Sequence, residues 1–197
     1  MSIESDLYLR TWRWRRVEYD RLVDLGVFEG ERLELLDGLL VVREPQKSYH
    51  GSTVEHVAHV LEAAFGIEWH ARRQLPLALD DDSEPEPDVA MVPGAPFDYF
   101  YAHPSTAALI VEVADSSLKV DRRFKTALYA RADITDYWIV NLPDRVLEVH
   151  RDPAPATDAE YGALYRHVEV LRPPAVITPL AAPRARIAVV DLLPPDS

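Results

Sequence analysis

Glu112 stands inside the run Leu109-Ile110-Val111-Glu112-Val113, which otherwise reads as a buried strand. A carboxylate there loses its hydration, at a cost of several kcal/mol, unless a cation meets it. Upstream, Pro87-Asp88-Val89-Ala90-Met91-Val92 puts a second acid at the mouth of another apolar strand, and Lys125 follows on a stretch patterned as a helix. Neighbouring strands lie about 4.8 Å apart, so acids on adjacent strands can converge on one ion. Mg²⁺ takes oxygen ligands, usually one or two carboxylates completed by water and substrate phosphate. It lowers the pKa of its water and screens the charge of phosphodiester hydrolysis, while a nearby lysine orients the water or offsets developing charge. Asp88, Glu112 and Lys125 suit these roles. Each has a plainer reading: a salt bridge from Glu112 to an arginine or an edge strand wet on that face, a turn residue at Asp88, a solvated lysine at 125. The combination carries more than its parts.

The elements that must position this set are legible in outline. Trp14 to about Leu25 carries apolar residues at Val17, Leu22 and Leu25 and reads as a helix stopped by Gly26. Arg32–Leu36 and Leu39–Val42 form a hairpin around the tight-turn pair Asp37-Gly38. His50 to Phe65 is a helix, with Val54, Val57, Leu61 and Ala64 at helical spacing and Gly66 at its end. Trp69 to Leu79 reads as a strand interrupted by proline, and Asp80–Pro87 as a solvated acidic loop. Asp88–Val92 and Ala107–Val113 are the two core strands, separated by a loop rich in aromatics and prolines. Asp121–Arg131 is a helix on which Asp121, Lys125 and Tyr129 share one face, with Phe124 and Leu128 as a separate apolar stripe. Tyr137–Val140 and Val146–Val149 form a second hairpin turning at Pro143-Asp144, and the remainder reads as short strands among prolines. The expected fold is α/β (mixed α+β): a mixed sheet flanked by helices.

Composition sets bounds. A chain of 197 residues with 48% hydrophobic content fits a single domain over 1–197, with a core from about 14 to 150 and short C-terminal strands over 151–197. There is no cysteine, which excludes disulfides and thiolate metal sites. No apolar run approaches the ~20 residues of a membrane span. Met1–Asp6 lacks the basic and apolar regions of a signal peptide, so a cytoplasmic protein is expected. The net charge of −12 argues against broad, non-specific nucleic-acid binding, though not against a small basic groove. Only Lys47, Lys119 and Lys125 are lysines, which restricts the choice of a catalytic one.

The ordered series Arg32–Gly38, His50, Pro87-Asp88-Val89, Val111–Ser117, Asp121 and Lys125 with Tyr129, and Asp136–Val140 resembles the Uma-type family of restriction endonucleases. That family belongs to the PD-(D/E)XK nuclease-like fold. The resemblance spans roughly Trp14 to Val149 and lies in the order and spacing of the motifs. It implies a restriction-endonuclease-like mixed sheet, an endonuclease acting on DNA with Mg²⁺ or Mn²⁺, Asp88 and Glu112 as metal ligands, Glu34 as a helper acid and Lys125 as the catalytic lysine. Action as a homodimer, to cut two strands, is also implied. Two residues after Glu112 this chain has Ala114 where the broad superfamily has lysine; the Uma-type pattern moves the lysine to the following helix, where Lys125 stands. Lys119 is the competing position. His50 occupies a recurrent family position before a helix, where it could touch substrate phosphate or cap the helix.

Other candidates have simpler explanations. His56 and His59 lie one helical turn apart, without the His-Glu-x-x-His pattern of metalloproteases. Trp12-Arg13-Trp14-Arg15-Arg16 is most simply an amphipathic N-terminal helix packing its tryptophans, although nucleic-acid binders also interleave aromatics with charge. The acidic run Asp80–Glu86 would repel DNA if it lay beside the site. A reading from another class therefore stands beside the nuclease: a catalytically silent module of the same fold that binds or assembles.

Overall fold

The computed structural model describes residues 11–43 and 45–195. The expectation for Met1–Asp6 lies outside them. The order begins with α1 (Arg16–Asp24), β1 (Leu33–Leu36), β2 (Leu39–Val42) and α2 (Ser48–Phe65). It continues with β3 (Trp69–Arg73), β4 (Val89–Pro93) and β5 (Leu109–Ala114). A helical segment follows in three parts: α3 (Leu118–Val120), a π-helical turn (Asp121–Lys125) and α4 (Thr126–Arg131). β6 (Asp136–Asn141), β7 (Val146–Pro155), β8 (Ala163–Leu171), β9 (Val176–Ile177) and β10 (Ile187–Ala188) complete the chain, with a 3₁₀ turn at Val189–Leu192.

Six strands form one mixed sheet in the order β3-β4-β5-β6-β7-β8. β5 and β6 run parallel and every other neighbouring pair is antiparallel. A parallel pair needs a long crossover, and the α3–π–α4 segment supplies it. β5 is buried along its whole length, so its residues sort by alternation alone. Leu109, Val111 and Val113 face α2, joining Val54, Val57 and Leu61 in one core. Ile110 and Ala114 face the other way, joining Tyr129, Ala130, Tyr137 and Ile139 in a second core. Period two therefore sends Glu112 toward α4.

The hairpin β1–β2 is a separate two-stranded sheet. Its turn needs positive φ at both central residues, and Asp37 (52°) and Gly38 (74°) provide it. An isolated bridge from Leu35 to Glu84 docks the hairpin on the 80–87 segment.

Several expectations are corrected. The first helix begins only at Arg16, so Trp12 and Trp14 precede it, and Trp12 is exposed; Val17 and Leu25 face solvent while Tyr19 is the buried residue. β3 stops at Arg73 because Gln74 takes a positive φ of 51° and Pro76 follows. The 80–87 segment is not a freely solvated loop: Ser83 and Glu84 are buried, and Asp81 and Asp82 pair with Arg15. β7 runs past the expected Val149 to Pro155, and β8 is a nine-residue strand rather than a short one. Pro153 and Pro155 are tolerated because β6 pairs only as far as Arg151, leaving their nitrogens without a neighbour on that side. No helix among the described residues is long and apolar enough to cross a membrane.

Candidate active site

Asp88 precedes β4 and Glu112 lies within the adjacent β5, with Val89 opposite Val111. The two acids are locked reciprocally. The Val113 amide donates to Asp88 Oδ2 at 2.9 Å, and the Asp88 amide reaches Glu112 Oε2 at 3.4 Å. Glu112 Oε1 accepts from Lys125 Nζ at 3.0 Å and from the Tyr129 hydroxyl at 2.7 Å. Glu34 enters from β1, with Oε2 3.7 Å from Lys125 Nζ and Oε1 3.4 Å from Arg43 Nε. Glu34, Asp88, Glu112 and Lys125 are all buried, and all line one open cavity of about 450 Å³.

Local structure explains the convergence. The π turn closes i→i+5 bonds, and such turns recur at functional sites. Here the Thr126 hydroxyl (2.7 Å) and the Tyr137 hydroxyl (3.2 Å) both donate to the Asp121 carbonyl, fixing the start of the turn. Asp121 and Lys125, its two ends, both reach the cavity.

His50 is inside α2 rather than before it, so it does not cap the helix. Its Nε2 lies 2.7 Å from the Val113 carbonyl oxygen and 3.4 Å from Asp88 Oδ2. The hydrogen bond to Asp88 raises the His50 pKa against the opposing effect of burial. Burial works to raise Asp88, but His50, Lys125 and the Val113 amide outweigh it and hold Asp88 below the ordinary carboxylate range.

Burial pushes Glu112 up, reinforced by Asp88, Asp121 and Glu34, while Lys125 pulls it the other way. Burial opposes charge on Lys125, yet Glu112, Glu34, Asp121 and Asp88 together hold the ammonium well above its ordinary value. Burial is the larger cause for Glu112, while the surplus of carboxylates pushes both partners upward. Lys125 favours its charged form, and Glu112 and Asp121 bind protons more readily than isolated acids, whereas Asp88 binds its proton less readily.

This donor set suits a hard cation. Asp88 and Glu112 line one cavity, and among the described residues Glu112 Oε2 has only its long contact to the Asp88 amide. Such an ion would complete its shell with water and phosphate. Among the described residues no group of three or more His, Asp or Glu side chains is arranged to hold a metal ion, so the protein side of such a site would rest on the two acids.

Sequence reasoning missed Arg43 and Gln74. Arg43 meets Glu34, Glu86 and Asp88 at once, and Gln74 donates to Asp88 Oδ1 at 3.1 Å. Arg43 could have been found, since it directly follows the strand paired with the one carrying Glu34. Gln74 left no signal. Asp121 and Tyr129 were placed on the Lys125 face but given no role. Lys119 is exposed in the short α3, not in a loop. His56 and His59 are exposed on α2, away from the cavity lining.

A mixed sheet with an acid-acid-lysine set at the margin of two central strands defines a restriction-endonuclease-like fold. The family model of Uma2, whose description reads "Putative restriction endonuclease", matches residues 16–189, and the chain belongs to that family. Among solved structures, it resembles a DUF820 protein from Anabaena variabilis described as a "putative nuclease". The TM-score is 0.63 at 15% identity, over 86% of this chain and 96% of that one, a likeness of fold. No protein of curated function matches the chain.

Proposed function

We propose that the protein is an endonuclease that hydrolyses phosphodiester bonds in DNA with Mg²⁺, for which Mn²⁺ substitutes. One observation carries this reading: a buried lysine 3.0 Å from Glu112, whose strand neighbour Asp88 shares its cavity. Asp88 and Glu112 would hold the ion, which when bound supplies Lewis acidity and a more acidic water. Lys125 offsets charge gathering on the phosphoryl oxygens. Glu34 is the helper acid: with Glu112 it keeps the lysine charged and fixes where its ammonium sits. His50, 3.4 Å from Asp88 Oδ2 on the cavity lining, is placed to meet a substrate phosphate. Cutting both strands of a duplex calls for two such centres, hence a homodimer.

The acidic surface opposes this less than composition suggests. Asp81 and Asp82 are paired with Arg15, and Glu86 with Arg43 at 2.8 Å. The silent-module reading keeps one observation in its favour: five acids (Glu34, Asp88, Glu112, Asp115 and Asp121) line the cavity. Incubation with duplex DNA, single-stranded DNA and RNA in Mg²⁺, Mn²⁺ or chelator decides between them. Metal-dependent internal cleavage of DNA that Glu112→Gln abolishes is the expected result. Mn²⁺ binding with no cleavage of any substrate favours the module, and cleavage of RNA alone corrects the substrate.

A further inference from the structure

Asp121 is given no part in holding the ion, yet it is among the most buried acids of the molecule, at 2% exposure. The residue lines the same cavity as Lys125 and Glu112. Its Oδ2 is buried and has no hydrogen-bond partner among the described residues. Such an acceptor is costly to leave unmade. A fold that needed only a helix at this point would carry an apolar residue there. Instead the π turn, anchored by two hydroxyls on the Asp121 carbonyl, holds an acid at the cavity wall. The cavity, at about 450 Å³, has ample room for water.

We propose that Asp121 is a further catalytic residue of this centre: its carboxylate accepts a hydrogen bond from the attacking water and orients it toward the phosphorus. This rests on the hydrolytic reading above. Lys125 and Asp121 then divide the work from the two ends of one turn. The lysine meets the phosphoryl oxygens, and the aspartate aligns the nucleophile. Water held by one fixed acceptor spends more of its time in an attacking geometry, and misplacement by about 1 Å is worth on the order of 10²-fold in rate.

The test compares Asp121→Ala and Asp121→Asn with wild type in cleavage kinetics, Mn²⁺ titration calorimetry and thermal melting. Asp121→Ala removes the acceptor and should lower kcat about 100-fold, with KM and Mn²⁺ affinity within about threefold, on the scale of a misplaced reactant. Asp121→Asn keeps one acceptor oxygen and should retain an intermediate kcat. Its melting temperature should not fall, because it relieves a crowded group of acids. Turnover of Asp121→Ala within a few-fold of wild type overturns the proposal. So does a loss of Mn²⁺ affinity matching the loss of rate, which would make Asp121 a ligand. If Asp121→Ala does not fold, Asp121→Asn decides alone, and full wild-type turnover overturns the proposal. Wild-type protein that cleaves nothing in either metal overturns the nuclease reading and this role with it. An active wild type with an indifferent Asp121 overturns only the role.

Discussion

Lys125 Nζ lies 3.0 Å from Glu112 Oε1, although one residue ends a π turn and the other sits in the middle of a buried strand. The crossover between the two parallel strands thus folds back onto the strand it has just left. Lys125→Ala should lower turnover about 10²-fold or more, by comparison with loss of one electrostatic donor. Metal affinity should barely fall, since the lysine is not a ligand. Lys119→Ala is the control and should stay within a few-fold of wild type. A reversed outcome for the two lysines would move the catalytic role to Lys119.

Crowded acids should make the fold respond to cations. A metal bound only by the folded state, at 100 times its Kd, adds about 2.7 kcal/mol. For a chain of this size that corresponds to a rise of roughly 5–10 °C in melting temperature. Thermal melts in millimolar Mg²⁺ or Mn²⁺ should show it, and Asp88→Ala should abolish both the rise and cleavage. Identical melting curves with and without metal would count against the site.

His150 gives a pH dependence with a definite sign. Burial pushes its pKa down from 6.5 to about 4, and both ring nitrogens are buried without hydrogen-bond partners. The unfolded chain therefore takes up this proton before the folded one does. Stability is intact above pH 6.5 and is lost as pH falls from there toward 4, by about 3 kcal/mol in all. Urea unfolding at pH 7.5 and pH 5 should show a smaller drop for His150→Phe than for wild type. Parallel pH curves for the two proteins would refute the assignment.

Asp136 should matter for stability alone. Wholly buried, it accepts from Trp138 Nε1 at 2.7 Å, Arg151 Nε at 2.9 Å and the Leu180 amide at 2.9 Å, tying β6 to β7 and to the tail. Asp136→Ala strands a guanidinium and an amide, at about 3 kcal/mol or more. Chemical denaturation measures the loss, while turnover per folded molecule should hold.

What the sequence disclosed follows from the range of the interactions involved. The apolar run around Glu112, the Asp37-Gly38 turn and the spacing of Val54, Val57 and Leu61 are local signals, and they located β5, the hairpin and α2 within a few residues. The end of β3 depends on a backbone angle at Gln74, which no propensity encodes. The extension of β7 to Pro155 depends on where its neighbour stops. Burial of Glu84 depends on a bridge to Leu35, 49 positions earlier by residue number. Within the site, Glu112 declared itself because an acid among aliphatics is conspicuous. Arg43 and Gln74 did not, because their significance is a contact with Asp88 made only in three dimensions.

The π turn makes the length of this segment as constrained as its composition. It holds one residue more than an α-helical turn would, and a residue removed from a helix rotates everything beyond it by about 100°. Deleting any one residue between Asp121 and Lys125 would leave every side chain of the site encoded. It would still swing either the lysine or the face of α4 that carries Tyr129 and Leu128 out of register. An insertion in the exposed stretch around Phe97–Tyr101, at the far end of β4 from Asp88, meets no such penalty. Tolerance to gaps along this chain should therefore be lowest over the five positions from Asp121 to Lys125, three of which lie between the site's own side chains.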